Sequence, residues 1–113
     1  MQKKPDYYIY PAVFSYDDDG VAVSFPDLPG CVTCGDNQNE AVYMAVDVLG
    51  GHLSCLEDDN DVIPMPSDLR KIHTEPHDVI VLIEAWMPPF REKNINYSNS
   101  FFEQTEKELA ILW

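Results

Sequence analysis

The sequence predicts an α+β fold with one antiparallel sheet and the element order β-β-β-α-β-α along the chain. Three observations predict it: short aromatic and β-branched stretches separated by turn sequences, one apolar stripe at helical spacing, and a strand-like run followed by a terminal helical segment. The chain has 113 residues, and domains hold roughly 100 to 200 residues, so we expect a single core.

The first two strands are predicted to form a hairpin. Residues Tyr7 to Tyr16 are rich in aromatic and β-branched side chains, and Pro11 within them favours a sheet edge or a bulge because proline cannot donate to a ladder. Asp17 to Gly20 have turn composition, and the glycine can adopt a positive φ. Val21 to Phe25 then resume strand composition, which completes the hairpin.

A proline-bounded loop and a short third strand follow the hairpin. Pro26 to Gly30 cannot continue regular pairing, because its two prolines lack donors and fix φ. Cys31 to Cys34 is predicted as the strand, and its period of two places the two cysteines on opposite faces. This geometry disfavours a shared metal ion or a disulfide, so we interpret the three cysteines of the chain as free structural thiols of a reduced compartment.

A central helix is predicted to begin at Asn37, which has Glu40 three residues later at capping-box spacing. Its apolar residues recur at helical spacing over about five turns, namely Ala41, Ala45, Val48, Leu49 and Leu56. The acidic run over residues 57–61 ends the helix. The stripe predicts that this helix packs on the sheet.

The clearest strand prediction is Asp78 to Trp86. Both of its faces are mostly apolar, so we expect it at the centre of the sheet or covered at an interface. Ser98 or Ser100 can cap a last helix that extends to about Leu112.

The charge is strongly negative and unevenly placed. Seven Lys plus Arg against 20 acids give a net charge of −13, and the stretch from Pro5 to Leu69 holds no Lys or Arg. Such a surface repels nucleic acid at neutral pH and attracts a basic protein. Solubility alone is the alternative interpretation of this charge.

No pattern of catalytic residues stands out. In His73 to His77 the histidine spacing is that of a zinc-protease helix, but Pro76 excludes the helix, and the acidic clusters lack calcium-loop spacing. Nucleophile elbows and phosphate-binding glycine loops are absent. We therefore predict a protein that is not an enzyme and has no cofactor or metal ion. Without a membrane-spanning run or a signal-peptide core, a cytoplasmic location is expected.

The segment from Ser24 to Thr33, reading SFPDLPGCVT, resembles the HicB family of bacterial antitoxins. The likeness continues in Gly35-Asp36, Glu40-Ala41, Ala45 and Leu49. It also includes Tyr10 to Val13 and Gly20 before this segment, and Ile63 to Ser67 and the Val79 to Ala85 strand after it. It therefore spans about residues 8 to 90.

The resemblance implies a partial ribonuclease-H-like domain over residues 1–90 that binds a small basic HicA-like toxin and blocks its mRNA cleavage by covering the active face. For this contact we predict Asp27, Leu28 and Pro29, because a rigid loop presents side chains at little entropic cost. Weaker candidates are Asp17, Asp18, Asp19 and Trp86. A purely structural loop, a nucleic-acid-binding or degraded nuclease-like domain without catalysis, and an orphan self-associating domain remain open.

HicB proteins often carry a C-terminal ribbon-helix-helix segment that binds operator DNA. Here residues 91–113 match only its final helix, and the strand that should read the DNA groove is missing, which predicts the loss of operator binding. The remaining helix could pack on the core, pair subunits or contact the toxin. We predict that it supports a homo-oligomer, a dimer or higher, through Phe101, Phe102 and Leu109.

Overall fold

The computed structural model describes residues 4–92, which form a four-stranded antiparallel sheet with one helix packed on one face. The sheet order is β3-β2-β1-β4, with β1 at Tyr7–Asp17, β2 at Gly20–Ser24, β3 at Val32–Gly35, β4 at Asp78–Trp86 and the helix α1 at Gln38–Asp58. The predicted α+β class is confirmed. The predicted last helix lies outside the described residues, together with Phe101, Phe102 and Leu109.

β1 is a central strand from Val13 onward, but at Pro11 it pairs only with β4, so this residue lies at a local edge of the sheet, as predicted. Its pairing with β4 covers Tyr7 to Ser15, whereas its pairing with β2 starts only at Val13. The backbone N–H of Tyr16 donates to the carbonyl oxygen of His77 on the β4 side at 3.2 Å. By the alternation of an antiparallel ladder, the backbone N–H and C=O groups of even-numbered β1 residues point toward β4, and those of odd-numbered residues point away from it. The nitrogen of Pro11 therefore points beyond the end of β2, where no ladder bond is lost.

β4 lies at the edge of the sheet, so the first part of its prediction, a central position, is wrong. Its Ile83 and Ala85 side chains are buried under α1, but Val79 and Leu82 remain more than half exposed. The sequence pattern was apolar on both faces, and the structure leaves part of that apolar surface open to solvent. Cover of this strand at an interface stays a prediction.

α1 begins as predicted, because the Asn37 side chain caps it by accepting a hydrogen bond from the N–H of Glu40 at 2.9 Å. Its stripe is buried against the sheet through Ala41, Ala45, Leu49 and Leu53. Burial of each leucine side chain contributes about 1.5–3 kcal/mol relative to exposure. This packing fixes where β3 and the β1–β2 turn lie relative to the helix start.

A buried ion pair joins the two ends of the described domain. The Glu57 carboxylate at the end of α1 accepts hydrogen bonds from Arg91 at 2.9 Å and from the Tyr8 hydroxyl at 2.8 Å. Arg91 also contacts the backbone carbonyl of Pro5 at 2.6 Å and the Asp6 carboxylate at 3.1 Å. The packing thus continues through residue 91, one residue past the predicted end of the first domain at residue 90. The division into two domains stays a prediction.

Within residues 4–92 no helix has the length and apolar character needed to span a membrane.

Candidate partner-binding surface

The turn between β1 and β2 presents three consecutive aspartates to solvent. Asp17, Asp18 and Asp19, hereafter the acidic turn, are all exposed. The Asp17 carboxylate accepts the backbone N–H of Asp19 at 2.8 Å, which fixes the turn. Gly20 completes it with a φ of +146°, and a Cβ at this position would lie 2.6 Å from the carbonyl oxygen of Gly35. The close approach of these two backbones requires glycine.

The acidic turn shares a hollow with Asp36, which lies just before the start of α1. This open hollow is lined by Asp17, Asp19, Gly20, Val21, Ala22, Cys34, Gly35 and Asp36. On the other side of the turn a second open hollow is lined by Tyr16, Asp17, Asp18 and His77. None of these lining residues is Lys or Arg. The result is a concentrated negative surface at one end of the sheet.

The two arginines among residues 4–92 are engaged elsewhere. Arg70 forms a salt bridge with Asp68 at 2.6 Å, and Arg91 is held by Glu57 and Asp6. Their charge is already compensated locally by these carboxylates, so it does little to neutralise the acidic turn.

The predicted contact loop over residues 26–30 is tied into the domain. The Asp27 carboxylate accepts both the backbone N–H of Ser67, at 2.9 Å, and the Ser67 hydroxyl. Leu28 is only 1% exposed and belongs to the hydrophobic core, so its side chain is not on the surface. Pro29 is exposed. The contacts of Asp27 and Leu28 are those of a structural loop, and a partner contact through Pro29 stays a prediction.

Trp86 lies far from the acidic turn. It pairs across strands with Tyr7 at the opposite end of β1, and the ten residue-to-residue steps of extended chain from Tyr7 to Asp17 span roughly 33 Å. Both aromatic side chains are about half exposed on the sheet face that points away from α1. The structure therefore does not bring the predicted contact residues into one patch.

An exposed apolar patch around Trp86, formed by residues of both β1 and β4, was not predicted from the sequence. Tyr7, Ile9 and Leu82 are each about half exposed on the same sheet face. The sequence contained a sign of this patch. The helix covers only one face of β1 and β4, but the residues that alternate onto the other face are apolar as well.

Cys31 and Cys34 point to opposite sides of the chain, and residues 73–77 form a loop, as the sequence predicts. Cys31 is buried and Cys34 is exposed, and burial raises the pKa of the Cys31 thiol to about 11. His73 lies on an exposed loop, 2.8 Å from the Glu75 carboxylate. Residues 4–92 contain no group of three or more His, Cys, Asp or Glu side chains arranged to hold a metal ion.

Sequence comparison places the chain among bacterial antitoxins. The model of the HicB-like antitoxin family of bacterial toxin-antitoxin systems matches residues 10–99. An uncharacterised 14.9 kDa protein of Haemophilus phage HP1 is 30% identical over 77 residues, covering 66% of this chain and 58% of that protein. Antitoxin HicB 2 of Photorhabdus laumondii is 43% identical over 58 residues, covering 51% and 42%. The chain thus spans about half the length of the curated relatives it matches.

Solved structures show the same fold. A chain of a toxin-antitoxin complex from Streptococcus pneumoniae superposes with a TM-score of 0.64 at 20% identity, covering 93% of this chain and 97% of that one. The Burkholderia pseudomallei antitoxin HicB superposes with a TM-score of 0.63 at 18% identity, covering 91% and 85%. Since the family model matches most of the sequence, this chain belongs to the HicB-like antitoxin family.

Proposed function

We propose that this chain is an antitoxin that binds a small, basic HicA-like toxin and neutralises its mRNA cleavage by covering its active face. Family membership supports this role, and one structural relative is the HicA3 and HicB3 toxin-antitoxin complex. The single observation on this chain that carries the proposal is the exposed acidic turn, with no Lys or Arg lining its hollows.

The chemistry of such a contact is electrostatic. An mRNA-cleaving toxin must bind phosphates, and Lys and Arg side chains supply that binding. Carboxylates fixed in a turn can occupy the same cationic groups, and the field of a chain with net charge −13 speeds the encounter. Asp36 adds a further carboxylate beside Asp17 and Asp19. Occupation of the toxin surface is sufficient for neutralisation, so this function needs no catalytic step by the antitoxin.

The test compares two charge variants in co-expression with a HicA-like toxin. Asp18→Asn with Asp19→Asn removes two charges from the acidic turn and keeps the hydrogen bond from the Asp19 N–H to the Asp17 carboxylate. The matched control, Asp59→Asn with Asp61→Asn, removes two exposed charges after α1. The first pair should weaken toxin binding about tenfold, equivalent to about 1.4 kcal/mol, and reduce growth rescue, while the control stays close to the parent chain.

Two outcomes would contradict the proposal. If the parent chain forms no complex and rescues no growth, the antitoxin role is wrong. If both variants lose affinity equally, only the total charge matters, and the acidic turn is not the contact surface.

A further inference from the structure

The face of the sheet opposite α1 carries an apolar patch at one end. Tyr7, Ile9, Leu82 and Trp86, hereafter the Trp86 patch, are each about half exposed and occupy neighbouring positions of β1 and β4. Glu84, which pairs with Ile9, is the one charged residue among these neighbours in the described sheet. Contiguous apolar surface of this kind usually marks a contact rather than a surface left to water.

The described part of the chain finishes beside the Trp86 patch, but on the other face of the sheet. Met87 donates its N–H to Asp6 O at 2.7 Å, which places the end of β4 beside the start of β1. The Phe90 carbonyl accepts the Ser54 hydroxyl of α1 at 2.8 Å, so residue 90 lies on the helix side. The residues that follow therefore have to pass around the end of the sheet, a layer spacing of roughly 10 Å, to reach the patch.

Residues 101–113, which lie outside the described residues, have an apolar stripe of matching length. In the helix that the sequence predicts here, at about 100° per residue, five apolar side chains fall within about a third of the circumference, namely Phe101, Phe102, Leu109, Leu112 and Trp113. The charged residues of the segment fall outside this arc, namely Glu103, Glu106, Lys107 and Glu108. A helix rises about 10 Å from residue 102 to residue 109, and the patch extends about 13 Å over the four residue steps from Tyr7 to Pro11, which pairs with Leu82.

We propose that residues 101–113 cover the Trp86 patch of their own chain, with Phe102 and Leu109 packed against Leu82 and Trp86. The connection, residues 93–100, reaches roughly 26 Å when extended, more than the layer spacing it has to pass. A connection this short keeps the effective concentration of the stripe near the patch in the millimolar range, so the cover forms even where the contact itself is weak. It leaves the acidic turn free, because that turn lies at the other end of β1.

Charge favours this segment over the other occupants of the patch. A second copy carries the same net charge of −13 and is repelled, whereas a segment of the same chain is held nearby by its covalent connection. A basic toxin is drawn to the acidic turn, roughly 33 Å from Tyr7 along β1, and finds only Glu84 at the patch. The acids of the segment lie off the stripe and stay in water.

The test uses Trp86 as a reporter in the full chain. The chain has two tryptophans, so Trp113→Phe leaves Trp86 as the only one and keeps an aromatic residue on the stripe. In this background Leu109→Ser removes an apolar side chain from the stripe. The matched control, Ile111→Ser, removes an isomeric side chain from the opposite side of the predicted helix. Circular dichroism checks that all three variants fold, and acrylamide quenching of fluorescence measures access to Trp86.

The proposal predicts that Leu109→Ser raises the quenching constant of Trp86 by about twofold, because the uncovered indole is 51% exposed. Ile111→Ser should leave the constant unchanged. Equal quenching in all three variants, or an equal rise in both serine variants, would overturn the proposal.

A second measurement separates cover within one chain from the oligomer contact expected for the same stripe. In a mixture of ¹³C-labelled and unlabelled chains, isotope-filtered NMR detects contacts between the Phe102 ring and the Leu82 methyl groups only where they join two copies. We expect these contacts in the fully labelled chain and none between copies at low or high concentration. Contacts between copies would assign the patch to a second chain. Shielding of Trp86 that begins only on addition of a HicA-like toxin would assign it to that partner, and either result would overturn the proposal.

Discussion

Replacement of Arg91 by methionine should destabilise the domain strongly, because it leaves the Glu57 carboxylate buried without its cation. Glu57 is only 5% exposed, and Arg91 donates two hydrogen bonds of 2.9 Å to it. Breaking a buried pair by removal of one partner costs about 3–5 kcal/mol. Because the Arg91 side chain is 26% exposed, and the Tyr8 hydroxyl still donates to the carboxylate, we expect the lower end, about 3 kcal/mol.

Asp6→Asn is the matched control, because Asp6 contacts the same guanidinium from the surface. Its side chain is 53% exposed at 3.1 Å from Arg91, and exposed ion pairs contribute about 0–1 kcal/mol. Urea unfolding at pH 7 measures both changes. A loss of 3 kcal/mol also lowers Tm by about 15 °C in a domain of this size. A loss for Arg91→Met no larger than that for Asp6→Asn would refute the reasoning.

The same pair predicts the direction of the pH dependence. Burial by itself raises the pKa of Glu57, but the hydrogen bonds from Arg91 and Tyr8 and the charge of Arg91 outweigh it and hold the pKa below its ordinary value. A carboxyl whose pKa is lowered on folding stabilises the domain above its unfolded pKa, about 4.3, and loses that contribution as pH falls through the folded pKa. The stability difference between the parent chain and Arg91→Met should therefore narrow on acidification, and a constant difference would contradict this account.

Two further predictions follow from packing and burial. Gly50→Ala should destabilise the domain by about 1–3 kcal/mol in thermal unfolding, because the new Cβ would lie 2.3 Å from the buried Phe90 ring. The higher helix propensity of alanine alone would stabilise the variant, so a gain in stability would contradict this prediction. A thiol reagent at pH 8 should modify two cysteines rapidly and leave Cys31 protected, since burial raises its thiol pKa to about 11; rapid reaction of all three would contradict the packing.

Local signals in the sequence were sufficient for much of the fold. The Asn37 cap, the stripe through Ala41 and Leu49, and the glycine of the β1–β2 turn act over a few residues, and each was predicted correctly. Capping and helical spacing depend on near neighbours in the chain, so a single sequence contains them.

Features that depend on distant neighbours were predicted less well. The apolar residues on both faces of β4 suggested a central strand or a strand covered at an interface, and this pattern cannot distinguish the two. The order of the strands depends instead on which strands pair with β1. The edge position of Pro11 follows from its missing N–H donor, but its cause, that β2 pairs with only part of β1, was not visible from composition.

The candidate site shows the same limit. The contact between Asp27 and Ser67 joins residues 40 positions apart, and it gives Asp27 a structural role that loop composition alone did not reveal. Leu28 stands between Asp27 and Pro29 in an exposed-looking motif, but its side chain completes the core. The acidic turn, by contrast, is exposed as its composition suggested, because consecutive aspartates in a two-strand turn have no apolar surface to bury.

The central proposal is that this domain neutralises a basic toxin by electrostatic occupation of its surface. Calorimetric titration of the purified chain with a HicA-like toxin over a series of NaCl concentrations tests it most directly. The account predicts one binding event that weakens steadily as salt rises and abolishes RNA cleavage at stoichiometric antitoxin. Binding that is indifferent to salt, or cleavage that continues in the saturated complex, would contradict it.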